Sequence, residues 1–167
     1  MILRVDARPL AVGTAVALVA ACASYGAVEQ RTTQGPTAEQ FWTVRMVSMN
    51  GRAPTFEERR HWDNDIDARI SRYLNEHPEA ANSLQVSTFR FHRQAAVGMS
   101  KDQVLILLGQ PERMTTDVAE IEKLARKFWP SIKDAANEAW MYPGGWRLYF
   151  MGSKLVDITQ HLPGSLE

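Results

Sequence analysis

The sequence predicts an α+β protein: helices packed on a small three-stranded antiparallel sheet, preceded by an extra helical hairpin. Three observations carry this. Capping boxes stand at the head of successive apolar runs with spacings of three and four residues, the periodicity of a helix buried on one side. From Trp140 to Ile158 the pattern changes to alternation at period two, broken by Gly-containing turns. The first thirty residues have a third character, that of a leader followed by a polar segment. A chain of 167 residues with 45% hydrophobic content holds enough apolar material for one core.

Residues 1–21 read as a signal peptide. Arg4 and Arg8 precede an uncharged run from Pro9 to Ala21, too short to span a bilayer comfortably but suited to the apolar region of a leader. The run ends Leu18-Val19-Ala20-Ala21-Cys22, and Cys22 is the sole cysteine, so no intramolecular disulfide can form. This ending resembles the lipobox of bacterial lipoproteins. The resemblance implies that the Cys22 thiol receives a diacylglyceryl group, that cleavage precedes it, and that the new amino terminus is acylated. Two lipid signals already suffice for stable anchoring, so the implied partner is the membrane, through lipidated Cys22. Ala23 follows where aspartate would resemble an inner-membrane retention mark, which implies the outer membrane, periplasmic face. The alternatives at this point are an ordinary cleaved signal with a buried cysteine, or an uncleaved anchor.

Residues 22–36 read as a lipid-anchored tether, because Ala23 to Pro36 is rich in Ser, Thr, Gln, Gly and Ala without apolar periodicity. Fully extended, it reaches at most about 50 Å. Residues 37–96 read as a helical extension. Thr37 with Gln40 opens a helix carrying Phe41, Trp42, Val44, Met46, Val47 and Met49, stopped at Asn50-Gly51. Thr55 with Glu58 opens a longer one, with Trp62, Ile66, Ile70, Tyr73 and Leu74 on one face and Pro78 as its end. Asp63, Asp65 and Asp67 alternate like the start of a calcium loop. Ala68 replaces the turn glycine, however, and Leu74 stands where the bidentate glutamate belongs, so they read as a solvated helix face. His61 and Asp65, four apart on the helix surface, read as a solvent-facing contact, and His77 and His92, without ligand-pair spacing, read as structural. In residues 84–94, Leu84, Thr88, Phe91 and Ala95 fit helical spacing, while Val86 to Phe91 suits a strand by composition; helix is the expectation and strand the open alternative.

Residues 97–161 read as the helix-and-sheet domain. Val97 to Pro111 contains a whole helix: Ser100 with Gln103 as capping box, an apolar face of Val104, Leu105, Leu107 and Leu108, then Gly109 and Pro111 as stop. Asp117 caps a helix carrying Val118, Ile121, Leu124, Ala125 and Phe128, closed by Pro130. Residues 117–137 read as an insertion. Trp140-Met141-Tyr142, the turn Pro143-Gly144-Gly145, Trp146 to Met151, the turn Gly152-Ser153, and Lys154 to Ile158 then form the three-stranded meander. The Val97–Pro111 helix is its expected cover. Trp140, Leu148 and Phe150 are expected in the core, and Trp146 and Tyr149 form a possible partner surface, since Trp and Tyr anchor many interfaces.

Val97-Gly98-Met99-Ser100 with Val104, Leu108-Gly109-Gln110-Pro111, the later Trp140 and Tyr142, and Leu148-Tyr149-Phe150 before Gly152-Ser153-Lys154-Leu155 resemble the SmpA/OmlA lipoproteins, the BamE-like family of the barrel-assembly machinery. The resemblance covers about the last seventy residues. It implies two helices on a three-stranded sheet and a non-catalytic scaffold or assembly role at the outer membrane, with the barrel-assembly machinery as possible partner. The sixty helical residues before the glycine-methionine motif depart from the family pattern, as does the 117–137 segment. The same small unit resembles repeats of secreted β-lactamase inhibitor proteins, which leaves a protein-binding inhibitor or sensor module as the alternative.

Charge and motifs narrow the function classes further. The net charge is zero, and removing Arg4, Arg8 and Asp6 with the leader leaves 17 basic and 18 acidic residues of the original 19 and 19. No basic excess is available to neutralise phosphates, so nucleic acid is not an expected partner. No nucleophile elbow, phosphate loop or zinc-binding histidine pair appears. A non-enzyme without cofactor or metal is the expectation.

Overall fold

The computed structural model describes residues 28–162, so Cys22 and the expected signal peptide, residues 1–21, lie outside them. The fold is α+β. Its elements are β1 (Val28–Thr32), β2 (Gln34–Thr37), α1 (Ala38–Asn50), α2 (Phe56–Glu76), α3 (Pro78–Ala81), β3 (Gln94–Ala96), α4 (Lys101–Leu108), β4 (Arg113–Thr115), α5 (Val118–Ala125), α6 (Trp129–Ile132), β5 (Glu138–Tyr142), β6 (Trp146–Met151) and β7 (Lys154–Leu162). The capping signals act as expected. Thr37, Thr55 and Ser100 each form a reciprocal capping box, and the Asp117 carboxylate accepts from the amides of Ala119 and Glu120.

The sheet has five antiparallel strands in the order β1-β7-β6-β5-β4, which corrects the expected three. The meander β5-β6-β7 is its centre, and β1 and β4 are edges of five and three residues. Val28-Glu29-Gln30-Arg31-Thr32 looks like a tether because an edge strand needs no buried face; its partner is specified elsewhere. Arg31 donates from Nε and Nη2 to both carboxylate oxygens of Asp157 at 2.7 to 3.1 Å, and Gln30 donates to Gln160 at 2.7 Å. Asp157 is buried on β7, so the pair fixes the β1 register. Gln34–Thr37 is not tether either: it pairs with β3 as a separate two-stranded ribbon.

Both sheet faces are covered. On one, Trp140, Tyr142, Leu148, Phe150, Leu155 and Ile158 pack with Val104, Leu107 and Leu108 of α4. Ile66, Ile70 and Leu74 of α2 belong to the same cluster, as does Ala38, with Phe41 of α1 packed against it. The 37–96 segment thus shares one core with the sheet. α1 and α2 meet where Trp42 stacks on Trp62, centroids 4.9 Å apart, and where Arg59 bonds Glu39. Arg93 donates to Asp63 at 2.6 Å and to Asp67 at 2.9 Å, so two of the alternating aspartates hold α2 to the start of β3.

On the other face, Ile121, Ala125, Ile132 and Ala136 pack on Ala139 and Tyr149. The segment expected to be an insertion is therefore the second helical layer. This corrects Tyr149 as a partner surface: it is 0% exposed, and its hydroxyl lies 3.0 Å from Thr159 Oγ1. Burial pushes its phenol up to about 12.

In residues 84–94 the expected helix forms over 86–92, in part as a π-helix, and strand begins only at Gln94. After α3 the chain reaches a π-helical turn, Thr88–His92, before β3. Phe89 is buried edge-on to Tyr73, while Leu84 and Phe91 are exposed. Of the residues at the expected helical spacing, Leu84 and Phe91 face outward whereas Ala95 is buried. A left-handed Arg93, φ 47°, turns the chain from the π-helical turn into β3.

Lys101 bridges α4 to the sheet. Its ammonium lies 2.6 Å from Glu138, whose carboxylate also accepts from Trp140 Nε1. Burial would raise the Glu138 acid, but the Lys101 hydrogen bond, the Trp140 donor and the Lys101 charge together leave it below its ordinary 4.5. Its stabilisation is complete above the unfolded value and is lost as pH falls through the lower folded value. Urea midpoints of Glu138→Gln should accordingly approach those of the unmodified chain on acidification from neutral pH. A constant gap across that range would contradict the assignment.

Candidate functional site

An open groove of about 600 Å³ crosses the end of the sheet. Apolar ligand clefts of 300 to 1,000 Å³ are typical binding sites. One wall is α1, through Phe41, Val44 and Met49; the opposite side comprises Tyr142, Trp146 and the Pro143-Gly144 turn, with Leu108 at the base.

Each wall has a local cause. Gly51, φ 67°, accepts the left-handed conformation that ends α1. Phe41 stands edge-on to Tyr142, centroids 5.6 Å apart, and the Tyr142 hydroxyl donates to the Gly109 carbonyl at 2.9 Å. Burial raises the Tyr142 phenol, which keeps it a neutral donor. Between the β5 and β6 ends, Gly144 and Gly145 both take φ 72°, and Gln160 Nε2 donates to the Gly144 carbonyl at 3.1 Å. The α1 side remains open: Val44 is 61% exposed and Met49 74%.

The lining carries one cation, Arg45, and one carboxylate, Glu112, with Gln40, Ser48, Gln110 and Gln160 as neutral polar groups. No paired nucleophile and base stands in it, so what the lining offers is apolar contact plus a few hydrogen bonds.

At the same end of the sheet, on the second-layer side, Arg126 donates to Glu29 at 2.8 Å, Lys127 pairs with the same carboxylate at 3.8 Å, and His161 Nδ1 lies 3.2 Å from it. Burial raises the Glu29 acid, and the Arg126 hydrogen bond with the charges of Arg126, Lys127 and His161 outweighs that effect. Arg147 donates to the Leu124 carbonyl beneath this cluster.

Of the expected surface pair, the structure places Trp146 in the groove and Tyr149 in the interior. Cys22 lies outside the described residues. Phe41, Val44, Met49 and Tyr142 were missed as groove residues. A signal existed: the 41–49 run holds more apolar positions than a single buried stripe requires. Among the described residues no group of three or more His, Cys, Asp or Glu could hold a metal ion, and no helix is long and apolar enough to cross a membrane. Comparison with protein-family models, curated proteins and solved structures gives no match.

Proposed function

We propose that the chain is a lipid-anchored bacterial envelope protein, held at the outer membrane through Cys22, that acts without catalysis as a scaffold or assembly factor by binding another protein in the Trp146 groove. The observation that carries this reading is the placement of the sole cysteine at the end of a lipobox-like run, directly ahead of a domain with an open apolar groove. The groove supports protein binding because Trp146 offers a large, partly accessible aromatic beside exposed Val44 and Met49, the composition of an interface centre. The SmpA/OmlA-like motifs make the barrel-assembly machinery the first partner to test.

Two measurements address the two halves. Cys22→Ala should abolish labelling by a palmitate analogue and move the protein out of the detergent phase; unchanged partitioning refutes the anchor. A photo-crosslinking residue at Val44, followed in cells by mass spectrometry, should recover an envelope protein whose yield falls in Trp146→Ala. Recovery of barrel-assembly subunits supports assignment to that machine, and their repeated absence sinks it.

A further inference from the structure

The polar residues after Cys22 do not form a long tether, and this constrains how the domain meets its membrane. Five residues, Ala23 to Ala27, separate Cys22 from Val28. Six Cα steps extend to at most about 22 Å, against about 50 Å had the tether run to Pro36. Lengthening the leash requires peeling β1 from the sheet, and the double hydrogen bond from Arg31 to buried Asp157 opposes that.

The register defines which end of the domain is held near the bilayer. Val28 lies opposite Leu162. His161 N donates to the Gly145 carbonyl, so the Pro143–Gly145 turn lies at this end, and Gln160 stands opposite both Gln30 and Trp146. Arg126 and Lys127 are brought to the same end through Glu29. The turn joining β6 to β7 lies at the other end of β7: eight strand steps separate Lys154 from Leu162, about 27 Å.

We propose that this end of the domain is the face set against the headgroup layer of the bilayer that holds Cys22, so that the Trp146 groove opens toward the membrane. The inference rests on lipidation of Cys22. The surface chemistry suits the headgroup layer: Val28 is 54% and Leu162 41% exposed, while Arg126 and Lys127 outnumber Glu29 and retain a net positive charge beside them. Apolar side chains flanked by long cationic ones match an interface that is apolar on one side and charged on the other.

The test uses the full-length lipidated protein in vesicles of phosphatidylethanolamine and phosphatidylglycerol bearing a quencher at headgroup level. A thioether at Cys22 leaves an added cysteine as the sole free thiol, so Pro143→Cys, in the exposed turn at the near end, and Ser153→Cys can each carry one fluorophore while Arg126 and Lys127 stay in place. The label at position 143 should be strongly quenched, and the label at 153 should keep its emission. A flexible Gly-Ser insertion between Ala27 and Val28 should remove the contrast while the protein still floats with the vesicles. Equal quenching at the two positions in the uninserted chain, or stronger quenching at 153, overturns the orientation while leaving the anchor intact. Failure of the uninserted chain to float overturns both.

Discussion

Gly145→Ala should destabilise the domain by about 3 kcal/mol or more, whereas Gly144→Ala, one position earlier and at the same φ, should cost about 1 kcal/mol. Both glycines sit at φ 72°, so both substitutions carry the left-handed penalty. They differ in what a Cβ meets. At Gly144 the nearest contact is the Trp146 ring at 3.5 Å, ordinary packing. At Gly145 it would fall on the His161 backbone carbonyl, which cannot rotate away as a side chain can. Relief requires separating the β6 and β7 ends, and with them the His161 N to Gly145 O hydrogen bond of 3.0 Å. For a domain of this size each kcal/mol moves the melting temperature by about 2 to 4 °C. Thermal melts of the two variants should thus separate clearly. Equal losses would mean that the turn yields without strain. Because the same turn walls the groove, crosslinking from Val44 should weaken in Gly145→Ala even below its melting temperature.

Local signals in the sequence were legible where cause and effect lie a few residues apart. The Thr37, Thr55 and Ser100 boxes close over three positions, and each starts a helix where the pattern places it. Period two likewise identified β5, β6 and β7. What escaped was information held across the chain. Val28–Thr32 has no strand signature of its own; Asp157, 126 positions away, recruits it through Arg31. Alternation put Tyr149 on the face opposite Leu148 and Phe150, but whether that face is wet depends on Ile121, Ala125 and Ile132 arriving above it. Periodicity says which side a residue occupies, and only packing says whether the side is covered. The groove was legible in one residue, Trp146, because its other wall is α1, whose surplus of apolar positions has no meaning until the sheet end is placed beside it.

Ile70→Ala should lower the stability of the whole domain, sheet included, by about 2 to 5 kcal/mol. Ile70 is on α2, inside the 37–96 stretch that reads from sequence as an extension preceding the sheet domain. It is 1% exposed and belongs to the cluster that contains Val104, Leu148 and Phe150. Removing its side chain therefore leaves a cavity in a core shared by α2, α4 and the central strands, not in a detachable hairpin. Ties outside that core point the same way: Tyr73 on α2 lies 3.0 Å from Ser100 Oγ, the cap of α4, and Arg69 Nη1 donates to the Ile106 carbonyl. Elements joined by a continuous core unfold together. The amides of Leu148 and Phe150 at the centre of β6 should then lose protection by the same free energy that chemical denaturation reports for the variant. If their exchange is unchanged while α2 amides exchange faster, the helices unfold as a separate unit and the shared core is not cooperative. The outcome also bears on the groove. α1 supplies one of its walls and the sheet end the other, so a binding surface built this way persists only if both layers stay folded as one.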